Sequence, residues 1–259
     1  MVLSLDITRE KFDAVLFDLD GVLTSTAKLH AIAWKQTFDS YLKDRADKQK
    51  ETFVPFEIGK DYLQYVDGKP RYDGVRSFLA SRGIELAYGT PNDPPTLETV
   101  CGIGNKKNDL VNHIMATQGV EAYPGSVKAL NHLREHGFKT AVVSSSNNCE
   151  AVLKAAGIES YFNAYVDGRT ATALNLAGKP APDTFLEAAR QLGTETQRSI
   201  VVEDAVAGVE AGKRGGFGLV IGVARSGNAD ALKEHGADLV VNDLSELLPR
   251  VVGRRSDVA

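Results

Sequence analysis

The chain has 259 residues, 43% hydrophobic and 25% charged, with a formal net charge of −4. That is the balance of a globular protein long enough for one large domain or for a core carrying a smaller one, and without a basic block a nucleic-acid partner has no electrostatic footing. Residues 1–11 lack a signal-peptide apolar region, no window approaches a membrane span, and the two cysteines, Cys101 and Cys149, stand in no metal-ligand spacing; free thiols in a reduced cytoplasmic protein are the expectation.

The first element is the apolar run Ala14–Phe17, too short for a helix and read as a buried strand. It stops at Asp18-Leu19-Asp20-Gly21. Side chains alternate along an extended chain, so Asp18 and Asp20 project to one side and Leu19 to the other. Two carboxylates held that close raise one another's pKa unless a cation sits between them, and an oxygen-rich site favours Mg²⁺. Asp-Gly is equally a hairpin signal, so taken alone the stretch also fits a plain turn with a spare acid. A helix follows Thr24, its face built from Leu29, Ile32 and Ala33 and continued by Gln36 and Phe38. Between 41 and 55 the pattern decays into a charge run, which predicts a helix end and a surface loop. Asp67-Gly68-Lys69-Pro70 is a turn, Val75, Phe78 and Leu79 open a helix ending near Gly83, residues 89–95 form a loop, and helical pattern resumes over 96–118.

The second half changes texture. Strand-like runs at 139–143, 199–202, 219–221 and 238–241 alternate with helical stretches at 125–136, 147–156, 182–192 and 205–215, the pattern of a parallel α/β sheet. The fold class expected is therefore α/β: a Rossmann-like parallel-sheet core from residues 1–27 and 121–259, with a helical cap domain, residues 28–120, inserted after the first strand. Linkers near 24–28 and 119–123 would join the two.

Sites in open parallel sheets form outside the carboxyl ends of the strands. Those ends carry Asp18 and Asp20, then Ser144-Ser145-Ser146-Asn147-Asn148 at a helix start, then Glu203-Asp204; Lys179 precedes another helix. Each has a bland reading, Ser144 as an N-cap, Lys179 as a surface charge, Glu203-Asp204 as acids at a helix start. Together they gather acids, hydroxyls and one lysine on one rim.

These pieces resemble the four motifs of the haloacid dehalogenase superfamily of phosphotransferases: Asp18-Leu19-Asp20-Gly21-Val22, then Ser144, Lys179 and Glu203-Asp204. The resemblance implies that Asp18 is a nucleophile that becomes phosphorylated and Asp20 a general acid/base. Ser144 and Lys179 would hold the transferring phosphate. Mg²⁺ would be held by Asp18, Asp20 through its backbone carbonyl, and Asp204, with Glu203 assisting. Within the superfamily the chain is most similar to the β-phosphoglucomutases, through Thr24-Ser25-Thr26-Ala27, His30, Trp34, Lys107-Asn108-Asp109, Tyr123-Pro124-Gly125 and Lys179-Pro180-Ala181-Pro182-Asp183. That likeness implies a hinge at Thr26, coupling of cap closure to Asp20 through His30, and a sugar-phosphate substrate. Substrate contacts are implied for Gly68, Arg71 and Lys107 of the cap and for Ser146, Asn147 and Asn148 of the core. Trp34 is carried with them, although packing within the cap is its plainer role. Glucose 1,6-bisphosphate is implied as activator, and a monomer is expected.

Two positions depart from the pattern. Asn147 and Asp67 stand where lysines are expected, with Lys69 or Arg76 as candidate replacements for the lost charge. A phosphatase using the same machinery is the alternative, and a catalytically silent binding protein a more distant one. Cys149 reads as a buried thiol; His113, His132, His136 and His235 read as surface or helix-end residues; Tyr161 and Phe162 read as core.

Overall fold

A computed structural model describes residues 7–248; the outermost parts of the core segments expected from sequence, 1–6 and 249–259, lie outside the described residues. Six parallel strands form one sheet: β1 (Ala14–Phe17), β2 (Lys139–Val143), β3 (Ala164–Val166), β4 (Ser199–Glu203), β5 (Leu219–Val223) and β6 (Leu239–Val241). Their order across the sheet is β3-β2-β1-β4-β5-β6. Strand order reverses beside β1, which pairs with β2 on one side and β4 on the other. A crevice opens at such a point because the connections leave in opposite directions.

Alternation along β1 feeds two cores. Val15 and Phe17 pack on one face with Leu130, Val152 and Leu153 from α4 (Pro124–Glu135) and α5 (Cys149–Ala155). Ala14 and Leu16 pack on the other with Phe185, Ala188 and Val209 from α7 (Asp183–Leu192) and α8 (Val206–Arg214). Both faces are covered, so the strand reads as a continuous apolar run rather than an alternating one. The short α6 (Gly168–Ala173) and α9 (Ala229–Glu234) follow β3 and β5.

Between β1 and β2 the chain is helical: α1 (Thr26–Gln49), a π-helical segment (Ile58–Val66), α2 (Arg71–Ser81) and α3 (Val100–Gln118). This insertion has its own core, in which Phe38 meets Phe78 at 4.3 Å and Phe56 at 5.1 Å between ring centroids, and Trp34 stacks on Phe38 at 5.0 Å. Each such ring removed from water contributes on the order of 2–3 kcal/mol. The insertion leaves and rejoins the sheet side by side: Thr24 bridges Ala122, the Ser25 N–H donates to the Glu121 carbonyl, and the Tyr123 N–H to that of Leu23.

Two expectations from sequence are corrected. The charge run after Tyr41 is not a helix end; α1 continues to Gln49, because Phe38, Leu42 and Ala46 keep an i, i+4 stripe buried while the charged residues occupy the other faces. Residues 96–99 are irregular rather than helical, and α3 starts at Val100, where the Thr99 hydroxyl accepts the Gly102 N–H. The π-helical segment, α6, α9 and the edge strand β3 carry no readable pattern. β3 is three residues long and leaves Tyr165 exposed, too short for any period to show.

Candidate active site

Asp18 closes β1, and Glu203 ends β4 with Asp204 next to it, so the central strand pair delivers three acids to one point. An oxygen from each lies within 4.8 Å of the others, and all three residues are buried. Lys179 reaches the cluster from the turn before α7, and its Nζ donates to Asp18 Oδ1 at 2.5 Å, Glu203 Oε1 at 2.5 Å and the Val143 carbonyl at 3.1 Å. Glu203 Oε2 accepts the N–H groups of Asp204 and Ala205 at 3.0 Å each. Both of its oxygens are thereby engaged, and Asp18 and Asp204 line the cavity that opens beyond. Burial pushes the carboxyls of Asp18 and Asp204 well above the usual range, with neighbouring acids adding to it. Lys179 is held charged against the cost of its burial by the carboxylates of Asp18 and Glu203. Gly21 turns the chain out of the strand at φ +91°, and a Cβ there would lie 1.8 Å from Asp204 Oδ2. Only glycine allows so close an approach.

Asp20 points to the same cavity as Asp18, while Leu19 is fully buried in the core. Its Oδ1 accepts a short hydrogen bond from the Thr26 hydroxyl, which also pairs with that of Thr24 at 2.7 Å. His30 Nε2 lies 3.7 Å from the same carboxylate oxygen, and its Nδ1 is 2.8 Å from Lys107 Nζ. With Lys107 donating to Nδ1, the ring proton sits on Nε2, facing Asp20. Burial and the nearby lysine lower the His30 pKa to about 4, and burial lowers that of Lys107 to about 7. Trp34 is buried against Phe38, and Lys107 Nζ stands 4.8 Å over its ring. Its place is first of all packing beneath the cavity wall.

The stretch after β2 folds into a tight cradle. The Ser144 hydroxyl accepts the Ser146 N–H and the Ser146 hydroxyl accepts the Asn148 N–H. Asn148 donates to the side chains of Asn112 at 2.8 Å and Asn108 at 3.3 Å on α3. Asn147 packs against Gly168, where a Cβ would meet its Oδ1 at 2.2 Å. Across the cavity, the Ser145 hydroxyl donates to the Gly68 carbonyl at 2.9 Å, and a Cβ on Gly68 would lie 2.9 Å from that of Ala205. The loop carrying Gly68 is thus seated over the carboxyl ends of β2 and β4, beside the acids. Arg71, 5.0 Å over the ring of Tyr72, lines the same cavity of about 580 Å³. That volume suits a small polar ligand.

Every residue singled out from sequence as catalytic or substrate-contacting lines this cavity except Thr26 and Lys179, which reach it through their hydrogen bonds to Asp20 and Asp18. Neither candidate replacement for the missing lysines faces it with its charge: Lys69 Nζ donates to Ser77, and Arg76 is exposed beside Asp73. Asp67 instead turns inward. It hydrogen-bonds Tyr62, and burial raises its pKa to about 7. Tyr62, Tyr72, Tyr88 and Ser145 also line the cavity and are not marked out by the sequence motifs. Only Ser145 carries a signal, its place between two expected phosphate contacts. Cys149 is buried, and burial pushes its thiol up. Tyr161 and Phe162 are partly buried against the core.

The residues fit a hard divalent cation. The cluster offers only carboxylate oxygens, and Gly21 leaves Asp204 its room. No described helix is long and apolar enough to cross a membrane.

Comparison with known proteins agrees with this geometry. Residues 12–216 match the model of the haloacid dehalogenase-like hydrolases. The chain is 50% identical over 242 residues to a β-phosphoglucomutase of Mycobacterium bovis, covering 92% of each, and 32% identical over 234 residues to that of Bacillus subtilis, covering 90% of this chain and 91% of the relative. A β-phosphoglucomutase structure from Clostridium difficile shares the fold with a TM-score of 0.70 at 24% identity, covering 92% of this chain and 93% of that one. A strand ending in a carboxylate, flanked by a lysine, an acid pair and a helical insertion, belongs with this match, and the chain is an enzyme of the haloacid dehalogenase-like hydrolase family.

Proposed function

We propose that the enzyme is a Mg²⁺-dependent phosphomutase that interconverts β-glucose 1-phosphate and glucose 6-phosphate. The observation that carries this reading is the shared cavity: Asp18 and Asp204 of the buried acid cluster, Asp20, and Arg71 and Lys107 of the insertion all line it, with Lys179 bonded to Asp18. A pure hydrolase needs only the first half of that arrangement. The organisation proposed is a core of residues 1–27 and 121–259 with a cap of residues 28–120, working as a monomer in the cytoplasm.

Asp18, phosphorylated at a carboxylate oxygen, gives its phosphoryl group to the 6-hydroxyl of β-glucose 1-phosphate as Asp20 takes the hydroxyl proton. The bisphosphate turns over in the cavity. Asp18 then takes the 1-phosphoryl group, and Asp20 returns its proton to the departing O1. Lys179 and the Ser144 hydroxyl hold the phosphoryl oxygens through both transfers. Asp18, Asp204 and the Asp20 main-chain carbonyl would hold Mg²⁺, with Glu203 steadying them, and the ion would supply charge neutralisation to the phosphoryl group. Arg71, with Gly68 and the Ser146–Asn148 cradle, grips the phosphate that is not reacting. Thr26 and His30, both on the Asp20 carboxylate, tie its orientation to the seated cap. The closed cap keeps water from the aspartyl phosphate. Glucose 1,6-bisphosphate primes the cycle by phosphorylating Asp18.

A phosphorus NMR time course with β-glucose 1-phosphate, Mg²⁺ and a trace of glucose 1,6-bisphosphate tests this. Conversion to glucose 6-phosphate with little free phosphate supports the mutase. Release of inorganic phosphate as the main product refutes it and makes the enzyme a sugar-phosphate phosphatase.

A further inference from the structure

Arg225 follows β5 by two residues, and no motif points to it. Its side chain is only 16% exposed, and all three of its nitrogens donate hydrogen bonds. Nε donates to the Gly21 carbonyl at 3.0 Å. Nη1 donates to Asp243 Oδ2 at 2.8 Å and the Asn242 carbonyl at 3.4 Å, and Nη2 to the Ser126 hydroxyl at 3.4 Å. The guanidinium also lies 3.7 Å over the ring of Tyr123. Ser126 in turn donates to the Val22 carbonyl at 2.7 Å.

These contacts close a ring. Arg225 holds the Gly21 carbonyl; the Gly21 N–H donates to the Thr24 carbonyl; Thr24 bridges Ala122; and Tyr123, next along, lies under the guanidinium. Inside the ring run both linkers of the insertion and the turn that leaves Asp20. The Gly21 peptide is trapped between Asp204 on one side and Arg225 on the other. Asp243 balances the guanidinium charge and is itself pressed against Gly125, where a Cβ would sit 1.8 Å from its Oδ1. A lysine could satisfy one of these acceptors as a point charge, but not the planar set together.

We infer that Arg225 is a positioning residue: it locks the Asp20 loop to the return linker of the insertion, so that the orientation of Asp20 and the pivot of the cap are held by one side chain. The inference rests on the acid/base role proposed for Asp20. Proton donation matters most when the departing oxygen is a poor leaving group. In the transfer to Asp18, loosening Asp20 therefore harms a sugar phosphate far more than an aryl phosphate, whereas a general loss of structure harms both alike.

The test compares the wild-type chain with R225K and R225A in two measurements. The first is the single-turnover transfer to Asp18 from a hexose phosphate and from p-nitrophenyl phosphate, read as release of the sugar and of p-nitrophenol. R225A is expected to lose about 100-fold on the former and less than about threefold on the latter, with R225K between. The second is hydrogen exchange. The amides of Gly21, Ser25 and Tyr123 should exchange at least about tenfold faster in R225A, with those of β1, β4 and β5 changed less than about twofold. Equal losses on both substrates, or unchanged exchange at these amides, overturns the inference. If R225A fails to fold, R225K together with Y123L, which removes the ring but leaves the hydrogen bonds, gives the same readouts. If the wild-type enzyme acts on neither substrate, the proposed function fails, and the exchange measurement alone decides whether Arg225 locks the two segments.

Discussion

Lys179→Met isolates what the buried ammonium does for the fold. Its Nζ serves two carboxylates and a carbonyl, with its side chain 2% exposed and those of Asp18 and Glu203 9% and 1% exposed. Methionine keeps roughly the volume and leaves these acceptors without the ammonium. Removing one partner from a buried ion pair costs about 3–5 kcal/mol, mostly from the charge left behind. For a chain of this size that is a fall in Tm of about 6–20 °C. The deficit is also pH-dependent. The Asp18 pKa is raised in the folded protein, so the folded state binds that proton more tightly than the unfolded one and gains stability as pH falls. Without the lysine the rise is larger, and the deficit of the variant shrinks as acid protonates the orphaned carboxyl. Scanning calorimetry of both proteins between pH 8 and 5, with chelator present, reads this directly. A deficit below about 1 kcal/mol, or one that does not change with pH, would falsify the account of Lys179 as counter-charge to the cluster.

Asp20→Asn should lower mutase turnover by about 10²- to 10⁴-fold while calorimetric affinity for inorganic phosphate changes less than about threefold; retained turnover would refute the acid/base assignment. Arg71→Ala should cost hexose phosphate conversion about 10- to 100-fold, the worth of a charge-assisted contact, and p-nitrophenyl phosphate hydrolysis much less. Equal losses would argue against a distal-phosphate anchor. Asp67 has a folded pKa of about 7 against an ordinary value of 3.8, so its ionisation opposes folding at neutral pH and the cost vanishes as pH falls below both values. Asp67→Asn should accordingly raise Tm most above pH 8 and by nothing near pH 4; a gain independent of pH would count against the buried carboxylate. Both cysteines are buried, and a thiol reagent should label neither until denaturant is added.

The features legible in the amino-acid sequence are those that local pattern encodes. β1 announces itself because both faces of the sheet are covered, and Asp18 follows from where that apolar run stops. Ser144, Lys179 and Glu203-Asp204 follow the same logic, each near the carboxyl end of a strand or the start of a helix. The length of α1 is hidden because past Tyr41 its charged residues outnumber its packed ones; there only Leu42 and Ala46 on the buried stripe keep the helix tied down. The inward turn of Asp67 is not legible, since it depends on Tyr62 and on the seating of Gly68 against Ala205. Arg225 is invisible for a similar reason. Its partners at Gly21, Ser126 and Asp243 lie far apart along the chain, and no period links them.

The side-by-side exit and re-entry of the insertion bears on how the chain folds. Pairing Ala14 with Lys139 closes a loop of about 125 residues, an entropic cost that grows with the logarithm of loop length. Residues 26–118 have their own aromatic core, a local cluster whose contacts do not wait on the sheet. Once it has formed, their two ends stand beside each other at Thr24 and Ala122, and the loop still to be closed shrinks to roughly 30 residues. The saving is about 1.3 kcal/mol, close to tenfold in the chance of β1 finding β2. The insertion that shares a cavity with Asp18 is thus also the one that shortens the search by which the Asp18 strand is built into the sheet.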